Sequence, residues 1–312
     1  MAAEREDATR EGVGISGAQR ERLARFARRF RRNTKAMLGL TIVVSLVFVA
    51  IFARPIVVEG FTVQPFSLAP HPVAETNIPD RTQAPSLAHP FGTDDLGRDV
   101  FSRVVVGSRI SLKVGFGAIS VALAVGATIG VVAGYVGGLT DELLMRLMDA
   151  AMAFPPVLLA LTLLVVLGPE LNNVIIALAF VYTPFIARVS RSAALAERNE
   201  AYVEAAVARG ESGPRIVFGE VFPNCTAPML VQGSLNVSFA ILAEASLSFL
   251  GLGAQPPRPS WGLMINTGRG FMETAPWMLL FPALAIGIAV IGFNMLGDGL
   301  RDVLDPKVEA IE

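Results

Sequence analysis

Cysteine and histidine are nearly missing from this chain. The single Cys225 excludes an internal disulfide, and the two histidines, His71 and His89, are each followed by a proline, which argues against a metal site. No G-x-x-x-x-G-K-[ST] occurs, so the chain is not expected to bind ATP as a P-loop protein, and no H-E-x-x-H marks a zinc protease. An intramembrane serine protease needs a histidine within the membrane, and neither histidine lies in an apolar run. Charge is scarce: 17% of the 312 residues are Asp, Glu, Lys or Arg, and the net charge of −1 carries no nucleic-acid signal. No catalytic constellation and no cofactor motif is left. The one formal G-x-G-x-x-G, Gly12-Val13-Gly14-Ile15-Ser16-Gly17, has no strand before it and no buried helix after it, and reads as chance.

What is abundant is apolar. At 53% hydrophobic residues the chain is too apolar for an ordinary soluble domain. Its start lacks the basic–apolar–small cleavage pattern, so the first span is expected to serve as an uncleaved anchor. Residues 1–35 form a basic tail. Eight basic residues and one acid lie between Arg20 and Lys35, with Leu23, Phe26 and Phe30 on one helical face. A short helix on an anionic membrane surface is expected there in preference to a solvated tail. Residues 36–53 carry no charge and reach about 27 Å as a helix, enough to span.

Residues 54–110 are expected to be an extracytoplasmic loop, rich in proline at first. An amphipathic helix is predicted from about residues 94–97 to Arg109, with acids leading and arginines following. The remaining core, 111–300, holds five further apolar stretches and a polar interruption. Residues 114–140 carry Gly126, Gly130 and Gly134, a tandem G-x-x-x-G that lets another helix approach closely. Asp149 and Glu170 bracket a third run, kinked at Pro155-Pro156. Residues 171–187 follow, with Pro184 near the end, then 227–253, interrupted by Glu244, and 274–297. None of these runs alternates, so six helices are expected and not a barrel. A polar tail, 301–312, closes the chain.

Placing the N-terminus in the cytoplasm puts eighteen Lys and Arg residues inside and eight outside. Six of those eight lie in the long 54–113 segment, where six acids balance them. Without that segment the ratio is eighteen to two, which favours a cytoplasmic N-terminus. The polar interruption then also faces the cytoplasm. It runs through residues 199–224 and is predicted to be two short helices with a glycine turn at Gly210, the second starting near Pro214 and stopping at Pro223-Asn224.

Within that interruption Glu204-Ala205-Ala206, three residues, Gly210 and then Phe222-Pro223 resemble the EAA loop of bacterial ABC importer permeases. The surroundings sharpen the likeness. His89-Pro90-Phe91-Gly92-Thr93-Asp94-Asp95-Leu96-Gly97-Arg98-Asp99 is similar to the segment after the first span of C-type subunits of dipeptide, oligopeptide and nickel importers. So are Arg146-Leu147-Met148-Asp149 with Phe154-Pro155, the stretch from Glu244 to Gly253 with Pro259-Ser260-Trp261-Gly262, and that from Phe293 to Asp302 with Asp305-Pro306. The resemblance covers about residues 36–307. It implies an all-α, MetI-like fold in the bacterial cytoplasmic (inner) membrane, with the 188–224 segment as coupling loop to an ATPase. It also implies a second, B-type permease as heterodimer partner, two ATP-binding cassette subunits and an extracytoplasmic solute-binding protein. Short peptides are the implied substrates, with nickel chelates, glutathione-like peptides and opines as others. The family usually carries a basic pair where Gly219-Glu220 stand, and an apolar residue in place of Arg209, so the charge of the docking face differs here.

Glu244 is the most unusual residue in a span. An acid mid-bilayer costs roughly 2.5–3.5 kcal/mol, so it faces either a water path or a hydrogen-bonding neighbour, and the sequence does not separate a path residue from a structural one. Asn236 and Asn294 are candidates for the same path, though with Gln232 they read more readily as interhelical hydrogen-bond partners. The competing function is an ATP-independent secondary transporter or channel that uses Glu244 as its ion or proton site.

Overall fold

A computed structural model describes residues 17–58 and 61–304. A basic helix, α1 (Gly17–Arg32), leads into α2 (Thr34–Phe52) and a small hairpin of β1 (Ile56–Val58) and β2 (Phe61–Gln64). An irregular loop then feeds α3 (Val100–Val136), α4 (Gly138–Met152), α5 (Pro156–Leu167) and α6 (Leu171–Glu197). Three short helices follow, α7 (Ala201–Ala208), α8 (Gly213–Ile216) and α9 (Phe222–Asn224), then α10 (Thr226–Phe249), α11 (Trp261–Gly268) and α12 (Trp277–Leu304). Residues 12–16 of the glycine-rich segment, the Leu23 side chain and the tail from residue 305 lie outside the described residues.

Five helices, α2, α3, α6, α10 and α12, are each long and apolar enough to cross a membrane. A sixth crossing follows from their directions. Gly126, Gly130 and Gly134 of α3 face Thr183, Ala187 and Arg191 of α6 in the same rising order, so the two helices are parallel. Successive long helices can run parallel only if the chain returns between them. The α4–α5 pair makes that return, bent by 89°. α5 alone, twelve residues and about 18 Å, is too short for a hydrocarbon core of about 30 Å. The kink expected at Pro155-Pro156 is therefore a near right-angle break.

The glycine stripe does what its spacing predicts. A Cβ on Gly126 would stand 2.6 Å from the Thr183 carbonyl oxygen and one on Gly134 2.7 Å from that of Arg191, while at Gly130 it would overlap the Ala187 carbonyl. In lipid there is no hydrophobic drive between helices, so this close backbone approach supplies the dispersion contact that holds α3 on α6.

Three boundaries differ from the expectation. No separate helix runs from residues 94–97 to Arg109. Asp94 Oδ1 accepts from the Leu96 and Arg98 amides, both at 2.9 Å, and closes a turn with Gly97 at φ +74°. α3 starts only at Val100, capped by Asp99, whose Oδ2 accepts from the Ser102 amide at 2.7 Å, and runs unbroken into the second span. Arg109 does not end an amphipathic helix. It caps α2, donating to the carbonyls of Ala50, Ile51 and Arg54 at 2.8–3.0 Å, groups a helix C-terminus leaves without partners. Finally, α4 starts well before Asp149 and α6 continues ten residues past Ala187, because Arg191 and Arg188 on α6 pair with Asp141 and Asp149 on α4.

Both termini of the bundle meet at one end. Asn33, the N-cap of α2, reaches Asp302 of α12 at 3.3 Å, and Gly299 lies against Ala36. At the other end two tryptophans fasten the last helices to the α3 start. Trp261 Nε1 donates to the Val104 carbonyl at 2.9 Å, and Trp277 Nε1 to that of Thr93 at 3.0 Å.

Candidate functional site

The segment between α6 and α10 is built as two helical pieces around a glycine turn. α7 ends at the Arg209 C-cap, and Gly210 has φ +75°. The Gly210 amide donates to the Val207 carbonyl at 2.9 Å and the Glu211 amide to that of Ala206 at 3.2 Å. This pair of bonds is the Schellman ending, which requires a left-handed residue where Gly210 stands. Pro214 lies in the first turn of α8, where its missing N–H costs nothing. The chain then passes through a π-helical turn, Val217–Val221, into α9, which ends at Asn224 as the sequence predicts, and a single turn residue, Cys225, separates it from α10.

One face of this knob packs inward. Val203, Ala206, Ile216, Val217, Val221 and Cys225 are buried in the main core. The other face is open: Glu204, Ala205 and Gly210 are exposed, with Val207 57% and Phe218 52% accessible. Pro223 is exposed and Phe222 half-buried. Of the residues singled out for docking, Ala206 therefore serves the inner face, and the outer face gains Val207 and Phe218, which the motif did not mark. The knob is tied to α6 by the Tyr202 hydroxyl, which donates to Glu197 Oε2 at 2.6 Å. Burial, and then the Glu197 carboxylate, hold the Tyr202 phenol well above its ordinary pKa. Burial likewise pushes the Cys225 thiol up to about 11, with Glu197 adding to it.

The two unusual charges of the knob face each other. Arg209 binds Glu211 at 2.7 Å and stands 3.9 Å from Glu220. Arg215 approaches Glu211 from the other side at 3.6 Å. Arg209 and Glu220 thus lie within one local network across the Gly210 turn.

Glu244 lies five residues before the end of α10 and is fully buried. Ser111 of α3 donates to Oε2 at 3.1 Å, and Ser248, one turn on, donates to Oε1 at 2.7 Å. Ser260, the N-cap of α11, presents a third hydroxyl to the same carboxyl group. Ser248 Oγ in turn accepts from the Ala254 amide at 3.2 Å. The carboxylate thus joins α3, α10 and the loop to α11. Asn236 and Asn294 sit nearer the knob. Asn236 Oδ1 accepts from Gln232 at 2.9 Å, whereas its buried Nδ2 has no partner among the described residues. Asn294 Oδ1 is 2.8 Å from the Ser238 hydroxyl. Beside them a cavity of about 640 Å³ opens, lined among others by Glu197, Val231, Gln232, Leu235 and Arg301.

The loop before α3 brings together residues that the sequence leaves apart. The His71 and His89 rings lie with centroids 4.9 Å apart, tilted by 37°, and His89 Nδ1 is 3.0 Å from Asp99 Oδ1. The two histidines, whose proline neighbours argue against a metal site in the sequence, are thus adjacent to each other and to Asp99 in space.

Two family models match the chain. One, described as binding-protein-dependent transport system inner membrane component, covers residues 126–310, and the other, the N-terminal TM domain of oligopeptide transport permease C, covers residues 22–85. The dipeptide transport system permease protein DppC of Alkalihalophilus pseudofirmus is 45% identical over 283 residues, 91% of this chain and 89% of that one. The glutathione transport system permease protein GsiD of Escherichia coli is 44% identical over 285 residues, 91% of this chain and 90% of its own length.

Proposed function

Since the chain belongs to the binding-protein-dependent transport system inner membrane component family, we propose that it forms half of the translocation path of an ATP-driven importer of short peptides. The relatives at 44–45% identity are named for dipeptide and glutathione transport, which supports a peptide-class substrate. A second permease, ATP-binding cassette subunits and an extracytoplasmic binding protein complete the assembly. The N-terminus and the α7–α9 knob face the cytoplasm, as the distribution of Lys and Arg supports.

The observation that carries this reading is the outer face of the knob. It is a helix–turn–helix held on the core by Val203, Ala206 and Val221, yet it leaves Ala205, Val207 and Phe218 exposed. Exposed apolar side chains outside the spans suit a docking surface, and the small Ala205 side chain leaves room for a partner to seat closely. When the ATPases close, the knob is carried with them, and α6 and α10, continuous with its two ends, rock the path open. The unpartnered Asn236 amide, beside the cavity at the knob end, supports a place for Asn236 and Asn294 near the path. Glu244 is assigned a clamping role, because both of its oxygens already hold serine hydroxyls. The same contacts weigh against an ATP-independent transporter built on Glu244.

Affinity purification from native membranes in mild detergent tests the assembly. Recovery of a second permease and P-loop ATPases, with peptide uptake into vesicles that requires ATP, is the expected result. A chain that purifies alone and transports without ATP contradicts it.

A further inference from the structure

We propose that His71, His89 and Asp99 form a binding site for a divalent transition-metal ion of the Zn²⁺ class, which staples the loop after the hairpin to the first turn of α3. Each residue offers one ligand atom, and the three atoms lie within 4.8 Å of one another. The closest pair, His89 Nδ1 and Asp99 Oδ1 at 3.0 Å, already has about the separation of two ligands that each sit roughly 2.0–2.2 Å from one Zn²⁺. The donor set is two imidazoles and one carboxylate. That set suits Zn²⁺, Ni²⁺ or Cu²⁺ and not Ca²⁺ or Mg²⁺, which take oxygen ligands. Both histidines are only half-buried, so water has access to the remaining coordination positions.

Apart from the His89–Asp99 contact, which a metal ion would replace, the three residues are held by bonds that leave ligand atoms free. The His71 amide donates to Ser102 Oγ at 3.1 Å, and the Ser102 amide donates to Asp99 Oδ2 at 2.7 Å, which leaves Asp99 Oδ1 facing His89. The His89 amide donates to Ser86 Oγ at 3.1 Å, and the Ser86 amide donates back to the His89 carbonyl at 2.9 Å. His71 Nε2 lies 3.1 Å from the Ala88 carbonyl. Metal-bound imidazoles usually donate their second ring N–H to such an acceptor, which fixes the tautomer and the ring plane. In the membrane reading above, this loop is extracytoplasmic, but the site depends on the loop geometry alone.

The test uses the full chain with a tag free of histidine, purified with whatever subunits accompany it and stripped with EDTA. It is titrated with Co²⁺ and then Zn²⁺, in parallel with His71→Ala and His89→Ala. The wild type should take up one more equivalent of Co²⁺ than either variant, with visible d–d absorption that Zn²⁺ abolishes, and Zn²⁺ should raise its melting temperature. His71→Ala leaves the His89–Asp99 pair and the α3 cap intact. It should melt like the metal-free wild type, bind at least about tenfold more weakly and lose the Zn²⁺ shift. No saturable uptake above the His71→Ala level, or an equal Zn²⁺ shift in that variant, overturns the proposal and leaves His89–Asp99 as an ion pair that caps a helix.

Discussion

Replacing Gly210 separates backbone geometry from contact at the knob. With φ at +75°, an L-residue there pays roughly 1–2 kcal/mol for the left-handed conformation. A Cβ at this position meets nothing within 4 Å, so no steric term adds to that cost. The cost falls on the Schellman ending and therefore on the angle between α7 and α8, whereas the buried residues of the inner face are untouched. A penalty of this size is a factor of about 5–30 in the population of the docking geometry. Gly210→Ala should therefore weaken binding of the ATPase subunits to the nanodisc-held chain by about 5- to 30-fold, and lower ATP-dependent uptake accordingly, with membrane abundance unchanged. Asn tolerates the left-handed region better than other side chains, so Gly210→Asn should lose distinctly less than Gly210→Ala, and Gly210→Val should lose most. Wild-type docking by Gly210→Ala, or equal loss in the Asn and Val variants, would refute the argument that φ at this residue sets the docking shape.

Glu244→Gln keeps a polar partner for the serines and should leave transport near normal, while Glu244→Leu strands buried hydroxyls at about 1–3 kcal/mol each and should lower the melting temperature in detergent; abolished transport in Glu244→Gln would restore the ion-site reading. Cys225 is buried, and its thiol titrates near 11. Its raised pKa means that stability drawn from the neutral thiol is present below the ordinary value of 9.0 and is lost as pH rises through 11. Maleimide should therefore label it only on unfolding at pH 7–8, and rapid labelling of native protein would show that the α9–α10 junction opens. A double-mutant cycle on Arg209 and Glu220 should give a coupling below about 1 kcal/mol that fades with salt, as for exposed pairs; a larger coupling would mean that the pair is desolvated against a partner. Gly130→Leu should prevent accumulation of folded protein in membranes, since its side chain meets the Ala187 backbone.

The features legible in the sequence are those set by neighbours along the chain. The Gly126, Gly130 and Gly134 stripe, the break at Pro155-Pro156 and the turn at Gly210 each follow from local backbone chemistry, and all three are where their spacing puts them. Features set across distance were not legible. Arg109 reads as the end of an amphipathic helix until the α2 carbonyls it caps, 55 to 59 residues away, come into view. The extent of α6 depends on acids of α4 that neutralise Arg188 and Arg191. Ala206 lies in the motif with Ala205 yet faces inward, because neighbouring helix positions point some 100° apart. His71 and His89, eighteen residues apart, meet where the Ser102 hydroxyl and the Asp99 carboxylate tie the loop to the α3 start.

The central claim is that the exposed face of α7 is the contact through which a separate ATPase drives this chain. Because the native cysteine is buried, Ala205→Cys offers one accessible thiol for a photoactivatable maleimide in native membranes. The account predicts a cross-link from residue 205 to a second polypeptide that a photoreactive ATP analogue labels, with no label on this chain. ATP-driven uptake without any such cross-link, or a cross-linked partner that does not bind ATP, would contradict it.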